Sequence, residues 1–252
     1  MKYFLDTEFL EGSQKTFFSK SKPTIDLISI GIVDENKREY YAISRDFNIN
    51  EAWNRFDFKY NTGMGDANNL PPTKVYWIRE NVLKPIWQEL KTRYLRDTDY
   101  ISNSHQYTRL IYTRFTLNAL KGLIGIYGKS NEIIADEIKT FVGTEQTIGN
   151  WNEIKDNWVV DFYGYYSDYD WVAFCWLFGT MVKLPKGFPM YCKDLKQMLD
   201  DKADFELPNQ PKNERVDVLK NSSKYPKQSN EHNALSDAKW NLELFKFIRC
   251  VS

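Results

Sequence analysis

The chain opens on Met1-Lys2-Tyr3-Phe4-Leu5-Asp6-Thr7-Glu8-Phe9, an apolar, aromatic run that leads straight into two acids. Tyr, Phe and Leu in a short run suit a buried strand. Side chains alternate faces along a strand, so Asp6 and Glu8 point the same way, one pleat repeat apart. Two carboxylates at the end of a buried strand repel each other and lose hydration unless a positive group sits between them. A hard divalent cation bound by oxygen meets that need. The plainer alternative is a strand that simply runs out into a polar loop.

The far end of the chain supplies partners for these acids. Glu231-His232-Asn233-Ala234-Leu235-Ser236-Asp237-Ala238 brings a His and a third carboxylate to the start of a helix. Tyr166-Ser167-Asp168-Tyr169-Asp170-Trp171 offers a fourth carboxylate ahead of an apolar helix. The set Asp-x-Glu, an Asp opening a middle helix, and His-x4-Asp near the C-terminus resembles the motifs of the DEDDh 3'-5' exonucleases, in the same order. The strings Leu5-Asp6-Thr7-Glu8-Phe9 and His232 to Ala238 look most like the small bacterial and phage 3'-5' exoribonucleases. The segment from about 88 to 129 has no counterpart in this resemblance.

The resemblance implies an RNase H-like α/β fold, a mixed sheet of about five strands flanked by helices. It also implies a single exonuclease domain over 1–252, with a helical insertion around 88–129. The expected activity is hydrolysis of phosphodiester bonds from a 3' end, releasing nucleoside 5'-monophosphates. The expected cofactors are two Mg²⁺ or Mn²⁺ ions per site, since such ions can activate water and stabilise the leaving oxygen. Asp6 would bridge both ions, Glu8 and Asp237 would hold the first, and Asp170 would act near the second through water. His232 would be the general base, a role an imidazole can fill near neutrality. Thr7, Phe9 and Leu10 would meet the terminal nucleotide, although each could equally be core. His232 could instead be a loop residue capping the last helix, and Asp237 half of a surface ion pair. Ser167-Asp168 precedes the apolar run, so Asp168 is expected to cap the helix and Asp170 to serve the site. The expected partner is the 3' end of single-stranded RNA, with DNA as the closest rival and an inactive nucleic-acid-binding domain as a second. A homodimer is compatible with this reading.

Lys plus Arg balance Asp plus Glu at 34 each, so no global basic field announces nucleic acid, and binding must come from local patches or metals. Aromatics make up 16% of the chain, enough to fill a sizeable core. Cys175, Cys192 and Cys250 are odd in number and widely spaced, which suits neither a metal site nor a disulfide framework. Asp6 falls too early for the apolar region of a signal peptide. The run Trp171 to Val182 is shorter than the ~18 residues of a membrane span. A cytoplasmic protein away from membranes is expected.

Read in order, Glu11 to Pro23 looks like a loop. Ile25 to Val33 is a nearly continuous β-branched run, the pattern of a strand covered on both faces. Its Gly31 either admits a close neighbour or marks a bulge. Arg38 to Ser44 is the return strand of a meander. Val75 to Tyr94 is helical in composition, with Pro85 predicting two helices or a kink. Lys84 to Lys129 carries eight Lys or Arg against three Asp or Glu, interleaved with aromatics. This suits single-stranded nucleic acid, or a helical insertion that packs its aromatics inward. Ser130 or Asn131 should cap a helix ending at Gly143. Trp158 to Tyr163 is predicted as a strand, Tyr169 to Met181 as a core helix, and Pro189 to Cys192 as a short strand. Asp194 should cap the next helix. Lys202 to Asn230 reads as a long polar loop that delivers His232.

Overall fold

The computed structural model describes residues 1–14, 22–59, 71–98, 111–143 and 160–250. They fall into two compact units, one made of Met1–Asp46 and Lys129–Ser252, the other of Phe47–Gly128. The first unit begins with β1 (Lys2–Gln14), β2 (Lys22–Asp34) and β3 (Glu39–Ile43). The second contains α1 (Ile49–Asn54), β4 (Asp57–Lys59), β5 (Thr73–Val75), α2 (Lys84–Asp97) and α3 (Leu117–Tyr127). The first unit resumes with α4 (Asn131–Val142), β6 (Asp161–Gly164), α5 (Asp168–Leu177) and β7 (Lys193–Asp194). It closes with α6 (Leu195–Glu206), α7 (Arg215–Lys220) and α8 (Ala234–Arg249).

The main sheet is mixed and five-stranded, in the order β3-β2-β1-β6-β7. β1, β2 and β3 form an antiparallel meander, whereas β6 and β7 run parallel to β1. This α/β architecture agrees with the expected RNase H-like fold. Both faces of the sheet are covered. Tyr3 and Leu5 pack with Ile134 and Ile138 of α4 and Phe174 of α5. Phe4 faces the other way and packs with Leu195 and Leu199 of α6 and Leu242 of α8. That double coverage explains the absence of apolar–polar alternation in the central strands. At ~25 cal/mol per Å² of apolar area, each such buried side chain contributes about 1.5–3 kcal/mol.

Gly31 marks a close approach. A Cβ built there would lie 2.3 Å from the Ala234 carbonyl oxygen and 2.4 Å from the Leu235 Cα. The N-terminal turn of α8 therefore rests directly on β2, and only glycine leaves room for it. The register irregularity sits elsewhere, in β1 between Glu8 and Phe9. Gly31→Ala should destabilise the chain by about 1–3 kcal/mol, the usual range for overpacking, read as a shift in the urea midpoint. An unchanged midpoint would show that α8 can lift from the sheet at no cost.

Several local expectations are corrected. The strands of the first hairpin extend to Gln14 and from Lys22, into the segment expected to be a loop, because main-chain pairing continues along it. The two helical segments expected around Pro85 are present, although the first is only a π-helical turn, Arg79–Leu83. Pro85 sits in the first turn of α2, where no N–H is needed. The helix expected to reach Met181 ends at Leu177, and a short 3₁₀ turn, Met181–Lys183, follows. The strand expected at Pro189–Cys192 lies at Lys193–Asp194. Lys202 to Asn230 is not one long loop, since α6 continues to Glu206 and α7 buries Leu219.

Other expectations hold. Ser130 accepts from Ile133 N, Gly143 ends α4 at φ 83°, and Asp194 accepts from Gln197 N. Within the second unit Trp87 donates to the Tyr112 carbonyl, and Tyr94 and Tyr112 meet edge to face. Tyr100, His105 and Tyr107 lie outside the described residues, as do Trp158 and Val159 of the predicted strand.

Candidate active site

Three elements converge at the point where β1 leaves its parallel neighbour. β1 pairs with β6 only from Lys2 to Phe4. Beyond that, side chains take the place of the ladder. Asn241 of α8 donates to the Leu5 carbonyl at 2.9 Å. Asp170 of α5 accepts from Thr7 N at 2.9 Å and from Thr7 Oγ1 at 2.5 Å. The bonds to Leu5 O and from Thr7 N satisfy buried backbone groups that would otherwise be orphaned. Together the three bonds fix where α5 and α8 meet the strand.

Alternation then sorts the strand's side chains. Thr7 faces Asp170, while Asp6 and Glu8 share a face with Phe4, the face covered by α8. Oxygens of Asp6, Glu8 and Asp237 lie within 4.8 Å of one another. Asp237 is buried and held by two donors. Gln228 Nε2 reaches its Oδ1 at 2.6 Å, and the His232 backbone N–H reaches its Oδ2 at 2.9 Å. His232 has a left-handed backbone, φ 65°, as does Asn230 at φ 54°. This rarely used conformation turns the loop sharply into α8, which is capped by Asn233 through Ser236 N.

The cavity has a volume of about 260 Å³. Asp6, Thr7, Glu8, Phe9, Asp170, His232 and Asp237 all line it. Leu10, the remaining residue expected at the terminal nucleotide, is fully buried and lies outside this lining. Tyr165, Gln228, Trp240 and Asn241 complete the walls and were not singled out from the sequence. Asn241 had a local signal, since it follows Asp237 by four residues on one helix face.

Burial dominates the electrostatics. Asp6 is held far above the usual carboxylate range, first by burial and then by Asp170, Glu8 and Asp237. Glu8 is pushed up to about 8 by burial, Asp237 and Asp170. Asp170 rises to about 6 through burial, with the Thr7 hydrogen bonds acting against the rise. Asp237 is also raised by burial, with Gln228 and the His232 N–H opposing. Among the described residues, no Lys or Arg pairs with any of the four. The donor set is all carboxylate oxygen, short of cations and closely spaced. It fits a hard divalent ion.

Asp168 is not the cap expected of it. Ser167 occupies the N-cap, without a side-chain cap bond, and its N–H donates to Asp194 Oδ2 at 2.9 Å. Asp168 is the first helical residue and is exposed. Asp168→Ala should therefore change stability by less than about 0.5 kcal/mol, as for ordinary surface positions, in a urea melt. A loss above about 1 kcal/mol would restore a capping role.

No family model matches the chain. Over 248 residues it is 25% identical to two proteins of Mycobacterium tuberculosis, from strains CDC 1551 and H37Rv, each named 3'-5' exoribonuclease. The similarity covers 98% of this chain and 93% of each relative.

Proposed function

We propose that this protein is a metal-dependent 3'-5' exoribonuclease of the DEDDh type, releasing nucleoside 5'-monophosphates from single-stranded RNA. The observation that carries the reading is the convergence of Asp6, Glu8 and Asp237, drawn from the two ends of the chain to within 4.8 Å, with no described cation between them. Holding such a cluster together without a ligand costs stability, so its existence favours a charged ligand. The names of the two mycobacterial relatives favour RNA over DNA.

Asp6, Glu8 and Asp237 would hold one Mg²⁺ or Mn²⁺, and Asp170 with Asp6 would serve a second. Bound there, such ions supply a water nucleophile at neutral pH and neutralise charge developing on phosphate oxygens. Thr7 holds Asp170 in place through two hydrogen bonds, and Gln228 with the His232 N–H orients Asp237. The His232 imidazole would take the proton of the attacking water. Phe9, whose ring meets Tyr169 edge to face at 5.8 Å, offers an aromatic wall for the terminal base.

The direct test is digestion of 5'-labelled RNA and DNA oligomers side by side, with Mg²⁺ or Mn²⁺ and with EDTA. RNA should shorten progressively from its 3' end and release 5'-monophosphates, and EDTA should stop it. Full activity in EDTA, or cleavage from the 5' end, would overturn the proposal. DNA shortened faster than RNA would reassign the substrate.

His232→Ala should cut single-turnover rates by about a hundredfold or more, the usual worth of a general base. Metal affinity should stay near wild type, because the side chain at this position is not counted among the ligands. Unchanged single-turnover rates would remove the general-base role.

A further inference from the structure

A second cavity, about 570 Å³, lies on the outer side of α8 in the same compact unit. It is formed where the segment before His232 folds over the helix. Lys224 and Lys227 line it from the segment, and Lys239 and Lys246 from the helix, with Trp240 and Phe247 between them. One acid, Glu243, is present in the lining. Lys239 pairs with Glu39 at 2.8 Å and Lys246 with Glu243 at 2.6 Å. Lys224 and Lys227 are exposed and have no carboxylate partner among the described residues. The groove is therefore locally basic on a chain whose charges balance overall.

This groove adjoins the carboxylate cavity. Trp240 lines both. The segment Pro226–Ser229 divides them, since Gln228 lines the carboxylate cavity while Lys227 and Ser229 line the groove. Trp240 is fixed in this position by donating Nε1–H to the Pro226 carbonyl at 3.0 Å, and it meets Tyr165 edge to face at 5.1 Å. From Ser236 to Cys250 the helix side of the groove extends ~21 Å at ~1.5 Å per residue. Lysines along a groove floored by two aromatic rings are the combination that holds single-stranded nucleic acid, with phosphates paired to cations and bases laid on π-faces.

We propose that this groove binds the body of a single-stranded RNA whose 3' end occupies the carboxylate cavity. The proposal rests on the exonuclease reading and adds to it a phosphate-binding track outside the reacting centre. The catalytic cavity is acidic and repels a polyanion unless metals are bound, whereas the groove attracts one without metals. Affinity for the strand should therefore survive metal removal, and short substrates should not benefit from the groove.

The test compares wild type with the triple variant Lys224→Ala, Lys227→Ala, Lys246→Ala. Binding of a labelled single-stranded RNA of about twenty nucleotides is measured by anisotropy in EDTA, across a salt series. The wild type should bind, and the variant should bind at least tenfold more weakly. The slope of log K against log salt should fall by about 2, at ~0.7 for each phosphate that a lysine no longer neutralises. Hydrolysis of a dinucleotide in Mg²⁺ should be unchanged, which separates loss of the track from damage to the site. Equal affinity and equal salt slope in the two proteins, with RNA shortened normally by both, would overturn the groove proposal and leave the nuclease reading intact. The same result with a changed oligomeric mass in the variant would assign the groove to a second copy of the chain, and also overturns it. A wild type that neither binds nor shortens RNA would sink the nuclease reading and the groove with it.

Discussion

Asp6→Asn should slow RNA shortening by about a thousandfold or more while leaving a folded chain that is no less stable in EDTA. Asp6 sits at the centre of the carboxylate group, with Glu8, Asp170 and Asp237 all raising its proton affinity. Replacing the carboxyl by an amide keeps its size and removes one ionisable oxygen donor from the cluster. Lewis-acid stabilisation at a phosphoryl centre is worth several kcal/mol. At ~1.36 kcal/mol per tenfold, losing it costs on the order of a thousandfold. In the metal-free protein the same substitution removes a carboxyl that burial and its three neighbours force to stay protonated at a cost in stability, so a urea melt in EDTA near neutral pH should show an equal or higher midpoint. Turnover within tenfold of wild type would remove Asp6 from the reacting centre. A much lower midpoint with lost activity would make its role structural instead.

Strand alternation is a local rule, which is why the shared face of Asp6 and Glu8 could be read directly from the sequence. Their meeting with Asp237 depends on chain reversal over more than two hundred residues, and only the motif resemblance pointed to it. Helix caps written in adjacent residues, Ser130 with Gly143 and Asp194, were equally legible. Asp168 shows the limit of such reading. Ser167 and Asp168 are both competent caps, and Ser167 takes the position, its N–H held by Asp194 at the end of the neighbouring strand β7. Gly31 likewise offered two readings, and only the position of α8 decides between them. Gln228 and Trp240 had no local signal at all. They enter the cavity because the segment before His232 folds back on α8, a tertiary event driven by Trp240 meeting Tyr165 and the Pro226 carbonyl. The polar composition of Lys202 to Asn230 reads as a loop because it hides the few apolar residues, Leu219 among them, that anchor α7.

In EDTA, wild-type protein should lose thermal stability as the pH rises from about 5 to about 8.5, and Glu8→Gln should remove much of that loss. Glu8 ordinarily titrates at 4.5 and is raised to about 8 in the fold by burial and by Asp237 and Asp170. Between those two values the unfolded chain has released the proton and the folded chain still holds it. The unfolded state thus binds fewer protons, and stability falls with rising pH across that window. Below about 4.5 both states are protonated and the two proteins should match. At ~1.36 kcal/mol per tenfold change in proton affinity, the interval from 4.5 to about 8 is worth on the order of 4–5 kcal/mol. For a chain of 252 residues that corresponds to a Tm difference of roughly 10 °C between Glu8→Gln and wild type at the alkaline end. Asp170, raised to about 6, adds to the fall at the acidic end of the range. Divalent ions should reverse the trend, because they bind the ionised carboxylates and their affinity grows as protons leave. Millimolar Mg²⁺ or Mn²⁺ should therefore raise the wild-type Tm more at pH ~8 than at pH ~5.5, and should raise that of Glu8→Gln much less. If the two proteins melt together in EDTA at both ends of the range, Glu8 is not held in a charge-poor carboxylate cluster. The electrostatic argument for a metal at this site then fails.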